Sequence, residues 1–291
     1  MSRPIFVALC VAAALAAAPR AQNPVAPAND AQAPFRIFGD TYYVGTFSIS
    51  SILITSRGGH VLIDGAFPES AADIAAHITA LGFRLKDVRA ILNSHVHADH
   101  AGGIAALQAR TGAAVYALPW SAQALASGRK GAGDPQFDTD TPPPPAVKKV
   151  RTIEDGQTLR IGDTRITARK TAGHTPGGTT WTWLSCERNA CADMVYADSL
   201  TAVSADGFRF TDSSTYPHAV DDFKRSFTVL RSVDCHILLT PHPDASHFWE
   251  RVARRATGTE NALMDRTQCA RYADDAERQL QARIASENPS P

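Results

Sequence analysis

The sequence has no surplus of charge: 29 Lys and Arg face 29 Asp and Glu in 291 residues. A protein that grips nucleic acid through its phosphates carries a basic face, and no such footprint is present. There is no internal repeat, which excludes solenoids and propellers. There is no CxxC pair, which removes the usual thiolate zinc sites. Beyond the N-terminus no apolar run is long enough to span a bilayer. With 44% apolar residues, neither disorder nor a collagen-like chain fits, and a substantial core can form.

The one long apolar run is at the start. Ile5 to Ala18 follows Arg3 and leads into small residues. It is short for a membrane span and reads as a secretory signal peptide over 1–21, cut near Ala18 or Ala21. Its removal takes Arg3 and Arg20 and leaves 27 basic against 29 acidic residues. The expectation is a periplasmic or secreted protein, free of the membrane after cleavage and monomeric. Residues 22–34 (QNPVAPANDAQAP) read as a flexible polar leader, and 35–291 as a single domain.

Only five cysteines occur, and Cys10 lies in the signal. Cys186, Cys191, Cys235 and Cys269 remain, an even count that suits disulfides in an exported protein. Three pairings are open. The favoured one joins Cys186 to Cys191 across the short polar turn CERNAC, and Cys235 to Cys269, tying a strand to a late helix.

Short apolar and β-branched runs predict strands at TYYVG, ISSILIT, HVLIDG and VRAILNS, with a helix over Glu69 to Leu81. A helix is predicted after HVHADH, through Ile104, Ala105 and Leu107. Residues 128–146 form a long Gly/Pro-rich loop. Strands follow at VKKVRTI, QTLRI, TRITARKT, TTWTWLS, DMVYADS and CHILLT, with a hairpin turn at Gly162-Asp163. Helices are predicted at Asp222 to Ser232, 245–256 and 269–286. Two similar halves of strands and helices suit an α+β or α/β sandwich, two mixed sheets flanked by helices.

What the chain has in excess is chemistry at strand ends. His95, His97 and His100 fall within six residues together with Asp99. Three imidazoles and a carboxylate this close repel or go unsatisfied without a cation, and they are good zinc ligands. In an extended stretch His95 and His97 point to one side. Asp99 and His100 come where the chain turns and address a second point. His174 (GHTPGG) and His242 (TPHPDAS) each follow a buried strand, where sites in layered folds collect. His60, His77, His218, His236 and His247 lack such a setting and read as capping or solvated residues.

These motifs resemble the metallo-β-lactamase superfamily, whose HxHxDH signature HVHADH matches. The segments AGHTPGGTTWTW, YADSLTAVSADGFRF, YPHAVDDFKRSF and LLTPHPDAS resemble the class B β-lactamases of the third subclass. The resemblance implies an αββα sandwich and two zinc ions per chain. His95, His97 and His174 would hold the first, and Asp99, His100 and His242 the second. Some members replace the first histidine; this chain does not. Ser199 stands where related subclasses carry a cysteine ligand. Ser199 and Thr201 resemble residues that meet the substrate carboxylate, and Asp99 those that orient the nucleophile. The Cys235–Cys269 pair resembles a family disulfide, and Cys186–Cys191 an extra bridge of some members; Phe47 stands where one relative has a cysteine. The implied activity is hydrolysis of the β-lactam amide in penicillins, cephalosporins and carbapenems by a metal-bound hydroxide, with antibiotic resistance as its consequence. No covalent acyl-enzyme is expected.

Gln136 and Phe137, on the long loop, are expected to form one wall of the cleft. Tyr42, Trp181 and Trp183 read as core aromatics. The first competing function is another hydrolase of the same fold, a thioester hydrolase or lactonase. Asp198 keeps it open, because an aspartate in a similar setting bridges both metals in many such enzymes. The second is a non-catalytic zinc-binding protein of the envelope, disfavoured because six ligands shared by two metals leave positions for water.

Overall fold

The computed structural model describes residues 31–288. The signal-peptide reading and most of the leader lie outside those residues. Two sheets face each other. The first has seven strands in sequential order: β1 (Phe35–Phe38), β2 (Thr41–Tyr43), β3 (Ile52–Ile54), β4 (His60–Ile63), β5 (Val88–Leu92), β6 (Ala114–Ala117) and β7 (Val150–Thr152). Pairing is antiparallel from β1 to β4 and parallel from β4 to β7. The second has five, β8 (Thr158–Ile161), β9 (Thr164–Lys170), β10 (Thr179–Glu187), β11 (Ala190–Tyr196) and β12 (Ile237–Leu239), in the order β12-β11-β10-β9-β8. Only the β11–β12 pair is parallel. Both sheets are therefore mixed.

Helices cover both outer faces. α1 (Ala71–Ala80) buries Ala71, Ile74, Ala75 and Ile78, one stripe at helical spacing. With α3 (Ile104–Thr111) and α4 (Pro119–Ser127) it packs on the first sheet, against Leu53, Leu62, Ile91 and Val115. Those strand residues alternate with Ile52, Ile54, Val61, Ile63 and Leu92, which face the second sheet and meet Ile166, Trp181, Trp183 and Met194. Trp181 and Trp183 are thus core residues, each with its ring N–H satisfied: Trp181 donates to the Asn93 carbonyl at 3.1 Å and Trp183 to Thr41 Oγ1 at 3.1 Å. On the far side, α5 (Ala219–Ser232) and α7 (Gln268–Glu287) bury Phe223, Phe227, Leu230, Ala273 and Leu280 over Val195 and Leu238. Burying each large side chain contributes about 1.5–3 kcal/mol. The layering is helix, sheet, sheet, helix.

Several elements differ from the sequence reading. HVHADH is not wholly extended: α2 (Ala98–Ala101) is a single helical turn with His97 at its N-cap. The helix expected over 245–256 is broken. A 3-10 turn, Pro243–Ser246, ends at His247 in the left-handed region (φ 50°), and α6 (Phe248–Ala256) starts afresh. β1, β6 and α4 are elements that the sequence pattern does not predict. The Gly162-Asp163 turn is present, with Ile161 paired to Thr164 and Gly162 at φ +56°. Disulfides join Cys186 to Cys191 across the β10–β11 hairpin and Cys235, before β12, to Cys269 in α7. No helix among the described residues is long and apolar enough to cross a membrane.

Candidate metal centre

Four chain segments converge at one edge of the sandwich, where strands from both sheets end. β5 runs into His95 and His97, β9 into His174, β11 into Asp198 and β12 into His242. Two bonds lock the sheets together beside the site: Thr179 N–H donates to the Ser94 carbonyl at 2.9 Å, and Trp181 to Asn93. The exit from β5 is held by Asp64, buried after β4 in the left-handed region (φ 59°). Its carboxylate accepts from the Ser94 N–H (2.8 Å), Ser94 Oγ (2.6 Å) and the Tyr196 hydroxyl (2.8 Å). Strain of this kind persists only where surrounding bonds over-determine it.

His95, His97 and His174 form one group, with ring centroids 4.7–4.9 Å apart pairwise. Each ring has one nitrogen occupied on its outer side. His95 Nδ1 meets Asp198 Oδ1 at 2.7 Å, His97 Nε2 meets both oxygens of Asp134 at 3.1 and 3.2 Å, and His174 Nδ1 meets the Thr201 carbonyl at 2.8 Å. The nitrogens left over are His95 Nε2, His97 Nδ1 and His174 Nε2. His95 Nε2 is buried with no hydrogen-bond partner. A buried polar atom without a partner is costly, so this is a donor awaiting a cation. The three residues bring one ligand atom each within 4.8 Å of one another.

Asp99, His100 and His242 form a tighter group. His100 Nε2 lies 3.2 Å from His242 Nε2 and 3.1 Å from Asp99 Oδ2, and His242 Nε2 lies 3.4 Å from the same oxygen. Ligands around one tetrahedral zinc-sized ion stand about 3.3 Å apart, so this triangle has the dimensions of a coordination face. A ring N–H of His242 is held by the Ser48 backbone carbonyl. The two groups are adjacent, with the His95 and His100 centroids 4.4 Å apart.

Burial is the main reason that His95 titrates far below the ordinary histidine range, assisted by His100, His174 and His97. Burial, with His97 and His100, brings His174 down to about 3, and burial with His100 brings His242 to about 4. Burial opposes the charge on Asp99, but His100, His242 and His97 outweigh it and hold the carboxyl well below its usual range. His100 moves the other way: burial lowers it, but Asp99 and Asp64 outweigh that and raise it. In His95, His174, His242 and Asp99 the favoured forms, neutral imidazole and ionised carboxylate, are those that ligate a metal. Five imidazoles and one carboxylate suit zinc. The residues present fit a metal centre, and the fit rests on the free ring nitrogens.

Asp198 stands on the Nδ1 side of His95, away from the free Nε2. Its Oδ1 holds Nδ1 at 2.7 Å, while its Oδ2 is buried with no hydrogen-bond partner. Ser199 is buried next to it, and Thr201 sits against His174, its hydroxyl 3.2 Å from Nδ1. Gln136 lines a cavity of about 320 Å³ beside His97 and Asp99, together with Phe67, Lys130 and Pro142. Phe137 is exposed on the same loop. His60, His77, His218, His236 and His247 lie in none of the ligand groups. Sequence reasoning missed Asp64, Asp134 and Ser94. Asp64 sits at the end of the strand run HVLIDG, and Asp134 in a loop with no motif of its own.

Two sheets in a four-layer sandwich, with a histidine-rich centre at the strand ends, define a class of metal-binding hydrolase folds. The chain belongs to the metallo-beta-lactamase superfamily, whose model matches residues 44–245. It is similar to the solved Rm3 metallo-beta-lactamase, at 50% identity over 89% of this chain and 96% of that one, with a TM-score of 0.87. It is similar to MEM-A1, a subclass B3 metallo-beta-lactamase isolated from a soil metagenome library, at 48% identity over 89% and 98% of the two chains (TM-score 0.87). The metallo-beta-lactamase SMB-1, solved with 2-mercaptoethanesulfonate, matches at 42% identity over 90% of this chain and 100% of that one, with a TM-score of 0.86. A probable metallo-hydrolase of Burkholderia pseudomallei (strain 1710b) is 33% identical over 149 residues. The matched stretch is 47% of this chain and 48% of that protein, so the chain spans about half the length of that relative.

Proposed function

We propose that the protein is a subclass B3 metallo-β-lactamase that hydrolyses the β-lactam amide bond with two zinc ions. His95, His97 and His174 would hold the first, and Asp99, His100 and His242 the second. One observation carries the reading: the His95, His97 and His174 group stands beside the Asp99, His100 and His242 triangle, in a chain 50% identical to Rm3 over 89% of its length. Bound there, the metals supply Lewis acidity and an activated water at neutral pH. The chain's own groups do the rest. Asp99 orients the nucleophile beside the second site. Ser199, Thr201 and Gln136 are assigned to the substrate, Gln136 because it lines the cavity that adjoins His97 and Asp99. No serine or cysteine is placed as a covalent nucleophile.

The position of Asp198 supports this reading over a thioester hydrolase or lactonase, in which that aspartate would bridge the metals. Export to the periplasm after loss of residues 1–21, a single domain from residue 35, a monomeric state and resistance to β-lactams belong to the same proposal. The test is spectrophotometric: turnover of a carbapenem and a cephalosporin by the purified protein, with metal content measured on the same sample. We expect activity that a chelator abolishes and zinc restores. No turnover of either compound, with rapid thioester turnover, would reverse the assignment.

A further inference from the structure

The geometry points to Asp134 as a positioning residue that couples the 128–146 loop to the first metal position; this rests on the ligand assignment above. Asp134 is buried, and both its oxygens face His97 Nε2. Lys130, on the same loop, is engaged elsewhere, donating to the Gln136 carbonyl and to Thr139. A buried carboxylate needs donors or a cation; the Gln136 N–H supplies one, and an imidazole N–H on Nε2 supplies the side-chain donor. In the neutral ring that proton must sit on Nε2 when Nδ1 is used as a ligand. A metal on Nδ1 therefore fixes the tautomer that Asp134 requires, and Asp134 fixes the tautomer that the metal requires.

The same carboxylate organises the loop. Asp134 Oδ1 accepts the Gln136 N–H at 2.8 Å, and the Asp134 carbonyl accepts from the Phe137 N–H at 3.0 Å. The next carbonyl, Pro135, accepts from Ala205 N–H at 2.9 Å, joining the loop to the segment that follows Ser199 and Thr201. Losing the Asp134–His97 bond thus loosens the wall that carries Gln136 and Phe137. Coupling of this kind is reciprocal: metal on His97 orders the loop by as much as the ordered loop favours the metal.

The experiment titrates metal-free full-length protein with zinc alone against a chromophoric chelator, for the parent, Asp134→Asn, Asp134→Ala and His97→Ala. Amide exchange across 131–139 is followed with and without zinc. His97→Ala identifies which binding step is the first site; if it changes neither step, the ligand assignment itself fails. Asp134→Ala is expected to weaken that step about 100-fold, and Asp134→Asn, which keeps one acceptor oxygen, about 10-fold, the range for partners that orient a metal-binding histidine. The other step stays within about threefold. Zinc is expected to slow exchange at Gln136 and Phe137 in the parent and not in Asp134→Ala. A purely structural Asp134 would speed loop exchange but leave both zinc affinities alone. That outcome, or loss of both steps equally in Asp134→Asn, overturns the inference.

Discussion

Glu287, near the end of α7, shows how one side chain holds a distant segment. Its carboxylate accepts from the Phe210 and Thr211 N–H groups, each at 3.0 Å, and from Arg283 Nε at 2.7 Å. Burial works against the charge, but Arg283 and these backbone donors hold the carboxyl below its ordinary value. A depressed folded-state pKa means that the group stabilises the protein above the unfolded value. The contribution is lost as pH falls from the ordinary glutamate range through the lowered one. Glu287→Gln is expected to cost about 1–3 kcal/mol at pH 7, read as a urea midpoint shift. The gap between parent and variant should begin to narrow near pH 4.5, the ordinary value, and close below it. A gap of equal size at acid pH would mean that charge is not the cause. The metal histidines were legible in the sequence because they crowd into six residues and recur beside Pro and Gly. Their outer partners, Asp134 and Asp198, were not, because a hydrogen bond across 37 or 103 positions leaves no local spacing to read.

At the scale of elements, the turn after β9 shows what the paired glycines are for. A Cβ on Gly178 would stand 2.4 Å from Asp198 Oδ2 and 2.6 Å from the Thr171 carbonyl. Neither can retreat, since Asp198 is buried against His95 and the Thr171 oxygen belongs to the backbone. Gly178→Ala is expected to destabilise the fold by about 1–3 kcal/mol, the cost of overpacking. It should also weaken zinc binding at the His95 position; equal zinc affinity in a folded variant would show that Asp198 had not been displaced. Long amphipathic helices such as α5 were readable from period alone. β6 and α4 were not, because the Ala-rich stretch TGAAVYALPWSAQALAS alternates too weakly to separate a four-residue strand from the helix after it. The break at His247 is equally silent: WERVARRA continues a helical pattern, and a left-handed residue is imposed by the turn that aims His242.

At the scale of the whole molecule, the second sheet is tied to its helical cover by the Cys235–Cys269 disulfide, 34 residues apart. In the chain-entropy view such a closure contributes about 3–4 kcal/mol. The double variant Cys235→Ser/Cys269→Ser is expected to lose about that much in equilibrium unfolding, with zinc stoichiometry retained by the folded protein. Loss of less than about 1 kcal/mol would mean that the packing of Phe223, Phe227 and Leu280 already sets the position of α7.

By itself the sequence determined the ligand types, the alternating strands and the amphipathic helices, because these depend on residue chemistry and local period. Tertiary structure decided which nitrogen of each histidine is free, which side of His95 Asp198 occupies, and that a Pro-rich loop closes on His97. Those depend on the two sheets packing face to face, which brings the ends of β5, β9, β11 and β12 together from positions more than 140 residues apart.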